Sequence, residues 1–471
     1  MPVREKAWLP DLLFTGGRLE RGLALVVDSD GRIVRLSREP RDLADAEPMR
    51  HRAILPGFVN GHSHAFQRAI RGRTEYRTQA APDTFWTWRE KMYHAARTLT
   101  PDGIYASSRM AFMEMLLAGI TTVGEFHYLH HAPDGRRYDD RNLLDKAVVR
   151  AAREVGLRIA LLQTAYGRAG WNKPDNPGQA RFLYRSVEEF CGELDMLRAD
   201  LDRQYRRDEA WLGIAPHSLR AVPLADFRAL DRYGRHHGMP VHMHISEQRG
   251  ENEQCLAEHG KTPTALLADE GLLHSKLTAI HCVHVSEAEI AALAAADASV
   301  CACPTTERNL GDGIVPADLL LRAGVNLALG TDSQIQIDPV EDARQLECHL
   351  RLLTEQRAVL ASDAAGSQED PDRLAQELLR SATAAGARSL GAPGGALEVG
   401  RPADFFTVDL RDSSVAGAGS CLSAMVFGLQ RTAIRDVAVS GRMVVRDGRH
   451  PAAGEIVDHF EKVQRELWNE A

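Results

Sequence analysis

The sequence predicts a (β/α)8 barrel of the TIM type, carrying a small β-sandwich domain built from both termini. Three observations lead there. Eight short apolar β-type runs recur between Ile54 and Gly330, and helical patterns fall between them. Histidines and carboxylates gather again and again at the C-terminal ends of those runs, where chemistry collects in this architecture. The two ends of the chain show no such alternation and instead read as short strands joined by tight turns.

The first of these ends contains Leu23–Asp28 and Arg32–Leu36, separated by the turn Asp28-Ser-Asp-Gly31, a hairpin pattern. Matching strand patterns return at Gly400–Asp409 and Asp436–Gly448. Residues 1–55 and 395–455 are therefore expected to share one small β domain, 56–394 to form the barrel, and 456–471 a closing helix. The barrel runs are the opening stretch Ile54–His64, then Ile120–Phe126, Leu157–Gln163, Trp211–Pro216, Pro240–Ile245, Leu277–Val283, Ala298–Cys301 and Asn326–Gly330. Helices are predicted over Pro101–Ala118, Asn142–Glu154 and Val187–Arg206, and a flexible loop over 361–373. An open doubly wound sheet is the alternative, but no Gly-x-Gly-x-x-Gly follows an early strand to support it.

Bulk properties narrow the partners. The chain has 471 residues and a formal charge of −8, which disfavours a nucleic-acid surface and leaves an anionic substrate dependent on locally placed cations. No apolar run of about 18 residues is present to span a membrane. The N-terminus lacks a signal peptide's apolar core. Seven scattered cysteines with no Cys-x-x-Cys pair point to free thiols in a reducing cytoplasm.

His62 and His64 end the opening run. Residues i and i+2 of a strand share a face, so the two imidazoles project together. A lone His-x-His has an even chance of being accidental, and a single histidine at a strand end is more often a satisfied polar residue than a ligand. Six of the eight runs, however, end in such residues. They lead into Glu125-Phe-His-Tyr128, His217-Ser-Leu-Arg220, His242-Met-His244 with Glu247, His281 with His284, and Thr331-Asp332-Ser333. The conjunction carries the inference of a metal site. Zinc suits three imidazoles and a carboxylate, which His62, His64, one of His242 and His244, and Asp332 would supply. Iron or manganese fits the same donors. The fourth run has no lysine near its end to bridge a second ion, so one divalent metal is expected. Hydrolysis also needs groups that move protons, and Glu247 with His281 or His284 has suitable chemistry.

This pattern resembles the amidohydrolase superfamily in its single-metal deaminase branch, over nearly the whole chain. Longer stretches resemble the formimidoylglutamate deiminase subfamily of histidine degradation. They are Asn60–Arg68, Phe85-Trp-Thr-Trp-Arg89, Glu125–His131, His217–Val222 and Thr306–Gly313. The resemblance implies that His62, His64, His244 and Asp332 bind the metal, and that Glu247, His281 and Asp332 perform the proton transfers. It leaves His242 as a barrel-interior side chain and His284 as a supporting residue. It implies an N-formimino-L-glutamate substrate, with Arg220, His217 and Tyr128 on the α-carboxylate, Arg89 on the side-chain carboxylate and Gln67 near the formimino group. Forked guanidinium groups suit carboxylates. Trp86 and Trp88 are expected to pack their loop, and Arg308 is either an added substrate contact or exposed. A homodimer is expected by analogy, without nucleic-acid or membrane partners.

Three rival functions remain: a deaminase of a guanine- or cytosine-like ring, a hydrolase of an amide or carbon–halogen bond, and a barrel that binds without turnover. The first lacks two carboxylates, so the distinguishing feature is whether Arg89 and Arg220 converge on the metal pocket.

Overall fold

The computed structural model describes residues 5–76, 85–171, 173–174, 176–361 and 370–469. Most of the anticipated 361–373 loop, at 362–369, lies outside them, as do residues 77–84.

Eight parallel strands form the barrel: β1 Phe58–Ser63, β2 Ile120–His127, β3 Arg158–Ala165, β4 Ala210–Pro216, β5 Val241–Ile245, β6 Leu277–His281, β7 Ser299–Ala302 and β8 Asn326–Leu329. Each pairs in parallel with the next in sequence. Every residue of β1, β2 and β3 is buried, which explains why these strands read as continuous apolar runs and not as alternating ones. Ser63 and Asp332 close the ring through a parallel bridge. There the Asp332 N–H donates to the His62 carbonyl and the His64 N–H to the Asp332 carbonyl, both at 3.0 Å. The closure therefore fixes the backbones of three expected metal ligands to one another.

The terminal sheet has eight strands and draws on both ends of the chain. Lys6–Thr15 pairs in parallel with Glu47–Pro56 and antiparallel with Ala24–Val27, which forms the predicted hairpin with Ile33–Ser37. Glu47–Pro56 pairs antiparallel with Phe405–Asp409, and Ile434–Val439 and Arg442–Val445 extend that edge. The sheet encloses a small core of its own, including Trp8, Leu25, Val27 and Phe405. The buried pair of Arg158 Nε and Asp404, 2.7 Å apart, ties it to the start of β3.

The opening run differs from the expectation of one strand over 54–64. It is two strands, the first in the terminal sheet and the second in the barrel. Pro56-Gly57 makes the switch: the Gly57 N–H bonds the Asp404 carbonyl and the Phe58 N–H the Gly119 carbonyl. A Cβ on Gly57 would lie 2.3 Å from Thr121 Oγ1, so the crossing excludes a side chain.

Helix Ala384–Leu390 plugs the N-terminal mouth of the barrel. Its backbone carbonyls accept from Asn326 Nδ2 at 3.1 Å, His242 Nε2 at 3.0 Å and Trp211 Nε1 at 2.9 Å. With that mouth filled, the opposite one is left for the site.

Candidate metal centre and active-site cavity

His62, His64, His244 and Asp332 are brought together at the C-terminal ends of β1, β5 and β8. Their ligand atoms all lie within 4.8 Å of one another, and all four residues are buried. Asp332 Oδ1 is 3.4 Å from His62 Nε2 and 3.3 Å from His64 Nε2. Donors about 2.1 Å from an ion in a tetrahedral shell stand roughly 3.4 Å apart, so the spacing matches a zinc-sized site. The tautomers match as well. The Phe126 carbonyl accepts from His64 Nδ1 at 2.9 Å and the His217 carbonyl from His244 Nδ1 at 3.1 Å, which leaves each Nε2 lone pair for the centre. Neither ring nitrogen of His62 has a hydrogen-bond partner among the described residues, an orphan a metal would satisfy. Burial pushes His62 down to about 3 and His64 and His244 in the same direction, so all three are neutral. Burial alone would raise Asp332, but the imidazoles around it, with His281 the charged one among them, hold it well below the usual carboxylate range. Three neutral imidazoles and one carboxylate are the donor set of a divalent ion.

Gly330 allows the ligands to approach: a Cβ there would lie 2.8 Å from the His62 Cβ. Asp332 and His281 both sit in the left-handed region, at φ 47° and 73°. Such strain in non-glycine residues persists only where the surroundings enforce it, and it collects at working sites.

Beside the metal centre, His281 Nε2 lies 3.7 Å from Asp332 Oδ2 and 3.8 Å from Glu247 Oε1. Its Nδ1 donates to Glu307 Oε1 at 3.1 Å. Burial raises Glu247, although His281 opposes the shift. Burial works against an imidazolium at His281, but Glu247, Glu307 and Asp332 hold it well above the ordinary histidine range.

A cavity opens above these groups. Gln67, Arg89, Tyr128, His217, Arg220 and Glu247 share its walls with His64, His244 and Asp332. Gln67 Nε2 donates to the Tyr128 hydroxyl at 2.9 Å, while its buried Oε1 has no partner among the described residues. Arg220 Nη1 donates to the Tyr166 hydroxyl at 3.2 Å. The Arg89 guanidinium lies 5.2 Å from the centre of the Tyr93 ring. His217 is driven well below its usual range by burial and by Arg220, so it offers hydrogen bonds and not charge.

The sequence profile of the amidohydrolase family matches residues 53–444. The chain belongs to the amidohydrolase family. It is 38% identical over 466 residues to a formimidoylglutamate deiminase of Pseudomonas aeruginosa, an alignment covering 98% of each protein. It is 31% identical to a 5-methylthioadenosine/S-adenosylhomocysteine deaminase of Desulforudis audaxviator, over 84% of this chain and 81% of that protein. The crystal structure of an amidohydrolase from Brucella melitensis superposes with a TM-score of 0.88 at 32% identity, covering 98% of this chain and 99% of that one.

Within this amidohydrolase, several expectations take a definite position. His242 lies inside the barrel near the plugged mouth, bonded to Ser389, and His284 Nε2 bonds the Asp312 carbonyl at 2.9 Å. Arg308 is 3.6 Å from Glu341 with its side chain 44% exposed, and it is not among the cavity's lining residues. Trp88, expected to pack its loop, lines the cavity, because helix Phe85–Thr98 carries it with Arg89 on that side. The Trp86 side chain lies outside the described residues.

Other residues were not foreseen. Tyr93 and Tyr166 line the cavity, and Gln179 Nε2 bridges their hydroxyls at 2.7 and 3.1 Å. The strand-end rule applied to β3 would have found Tyr166, which directly follows it. Glu307, inside a motif stretch but given no role, supports His281. Glu125 accepts from Ser63 Oγ at 2.6 Å and from the Ala65 N–H at 2.7 Å, and so braces both sides of His64.

Proposed function

We propose that this enzyme hydrolyses N-formimino-L-glutamate to N-formyl-L-glutamate and ammonia with one divalent ion, zinc first, with iron or manganese as substitutes. The carrying observation is that Arg89 and Arg220 line the cavity that also holds His64, His244 and Asp332. A substrate with two carboxylates gives each guanidinium group a forked partner, whereas a guanine- or cytosine-like ring has no carboxylate to offer either of them. The full-length relationship to a formimidoylglutamate deiminase supports the same choice.

His62, His64, His244 and Asp332 would hold the ion. When bound, it supplies a water nucleophile at neutral pH and polarises the carbon under attack. Asp332 Oδ2 takes the proton that the attacking water gives up, and His281, with Nε2 3.7 Å from that oxygen, gives its own Nε2 proton to Glu247 and takes the one from Asp332. Glu247, 3.8 Å from His281, delivers a proton to the terminal nitrogen so that it departs as ammonia. Gln67 Oε1, without a partner among the described residues, accepts from a formimino N–H. Arg220, His217 and Tyr128 take the α-carboxylate, and Arg89 the side-chain carboxylate.

The test is ammonia release from formiminoglutamate, guanine and N-formylglutamate, with the products read by mass. Formylglutamate is expected from the first substrate alone. Glutamate without formylglutamate would overturn the choice of leaving group. We also propose a cytoplasmic protein and, by analogy with this architecture, a homodimer. All seven cysteines are free thiols, which supports a reducing compartment, and no helix among the described residues is long and apolar enough to cross a membrane. Sizing chromatography with light scattering checks the dimer.

A further inference from the structure

We infer that Glu307 is a positioning residue for proton transfer, holding the His281 imidazole with Nδ1 protonated and Nε2 turned to Asp332 and Glu247. The inference rests on the proposed role of His281, but not on the identity of the substrate.

His281 ends β6 in the left-handed conformation, φ 73°, and Cys282 follows at φ 51°. The strand pleat therefore no longer sets the direction of the ring, and something outside β6 must. The inner nitrogen, Nε2, is buried with no hydrogen-bond partner among the described residues. It lies 3.7 Å from Asp332 and 3.8 Å from Glu247, so a small rotation of the ring would break both alignments at once. The hold comes from the other nitrogen. Glu307, 2% exposed, presents Oε1 to His281 Nδ1 at 3.1 Å. The same oxygen accepts the Cys303 N–H at 2.8 Å, so the carboxylate is itself anchored.

The helical turn that carries Glu307 is also fastened to the loop that carries Asp332. Thr306 Oγ1 donates to the Thr331 carbonyl at 3.2 Å and accepts the Ser333 N–H at 3.2 Å, one bond on each side of Asp332. Neighbouring residues 306 and 307 of helix Pro304–Leu310 therefore register the proton-transfer histidine against the metal carboxylate. A carboxylate serving only as a helix-start acceptor would be satisfied by the Cys303 N–H, and it would have no reason to be paired with His281 in a buried site.

The experiment compares Glu307→Gln and Glu307→Ala in the metal-loaded enzyme. Glutamine keeps an acceptor oxygen for His281 and Cys303, and alanine keeps none. A hydrogen bond to a charged group is worth enough that E307A is expected to lose about 10- to 100-fold in kcat, with KM within threefold and one metal per chain retained. E307Q is expected to recover most of that loss, remaining within about tenfold of the parent. In both variants the solvent deuterium isotope effect on kcat should rise, because proton transfer becomes limiting. If E307A does not fold, E307Q decides through its kcat and isotope effect. The inference is overturned if the folded variants keep kcat within twofold with an unchanged isotope effect, or if activity falls only in proportion to metal lost. Should the parent enzyme release no ammonia from formiminoglutamate, the functional reading fails instead. The same comparison is then made on whichever panel compound the parent does deaminate.

Discussion

Replacing Arg220 with Met removes a guanidinium from the cavity wall while keeping most of its aliphatic bulk. Burial works against the Arg220 charge, but the Tyr166 and Tyr93 phenols beside it hold the guanidinium even more basic than usual, so it is a permanent cation. Truncating one partner of a buried, hydrogen-bonded charge pair costs about 2–5 kcal/mol, much of it from leaving the other charge unpaired. At about 1.4 kcal/mol per tenfold, R220M should lose roughly 30- to 3,000-fold in kcat/KM for formiminoglutamate. R220K keeps the charge but not the fork, and it should fall between the two. The control is N-formimino-γ-aminobutyrate, which has the formimino group and the distal carboxylate but no α-carboxylate. The parent enzyme should use it poorly, and R220M should use it about as well as the parent does. A loss of the same size on both compounds would refute the reasoning. Arg220 would then act by shaping the pocket through Tyr166, 3.2 Å away, and not by meeting a carboxylate.

Arg89→Met should mirror this result, raising KM for formiminoglutamate by about 30-fold or more and leaving N-formiminonorvaline, which lacks the distal carboxylate, unaffected. Asp332→Ala should remove metal and turnover together: metal analysis reads well under one ion per chain, and ammonia release falls to below roughly a thousandth of the parent rate. Away from the cavity, His130 Nδ1 and Asp145 Oδ2 form a buried pair at 3.8 Å, and His130 Nε2 donates to the Thr164 carbonyl at 2.8 Å. Burial alone would lower His130, but Asp145 raises it; burial would raise Asp145, but His130 and His127 hold it down. The His130 contribution is present below its ordinary value, near 6.5, and is lost as pH rises through the raised one. The Asp145 contribution is present above its ordinary value, near 3.9, and is lost as pH falls through the depressed one. Asp145→Asn should therefore destabilise by about 3 kcal/mol at pH 6, read from urea midpoints, and by clearly less at pH 9. Equal losses at both pH values would show that the pair is not ionic.

Much of the barrel was legible because burial on both faces leaves a simple trace. Strands covered outside by helices and inside by packed side chains become unbroken apolar runs, and β2 through β8 were found that way. The terminal sheet was harder to read. Lys6–Thr15, the strand from which that sheet extends in both directions, contains Pro10, which argues against a strand in any reading by pattern. The structure accommodates it at a register shift between Pro10 and Leu12, where the ladder is already irregular. The opening run failed for a related reason: its apolar character continues through Pro56-Gly57 although its hydrogen-bond partners change there.

The site shows where reading by spacing stops. Period two says which face of a strand a residue occupies but not how deep it lies. His242 and His244 share a face of β5, yet one bonds the plug helix at the closed mouth and the other faces the metal centre. Family resemblance separated them; spacing did not. The candidate metal ligands sit at or just past strand ends, so a rule about strand ends reaches them, and applied to every strand it reaches Tyr166 too, whereas Gln67 and Arg89 lie on helical segments beyond it. Glu307 escapes that rule because it lies one turn into the helix that follows, where a carboxylate is ordinary. Its meaning comes from a contact to His281, 26 residues away in sequence and 3.1 Å away in space. The residues proposed to perform the chemistry are set by strand register, which a sequence displays. Those that aim them are set by how each helix start leans on its neighbouring strands, which only the folded chain displays.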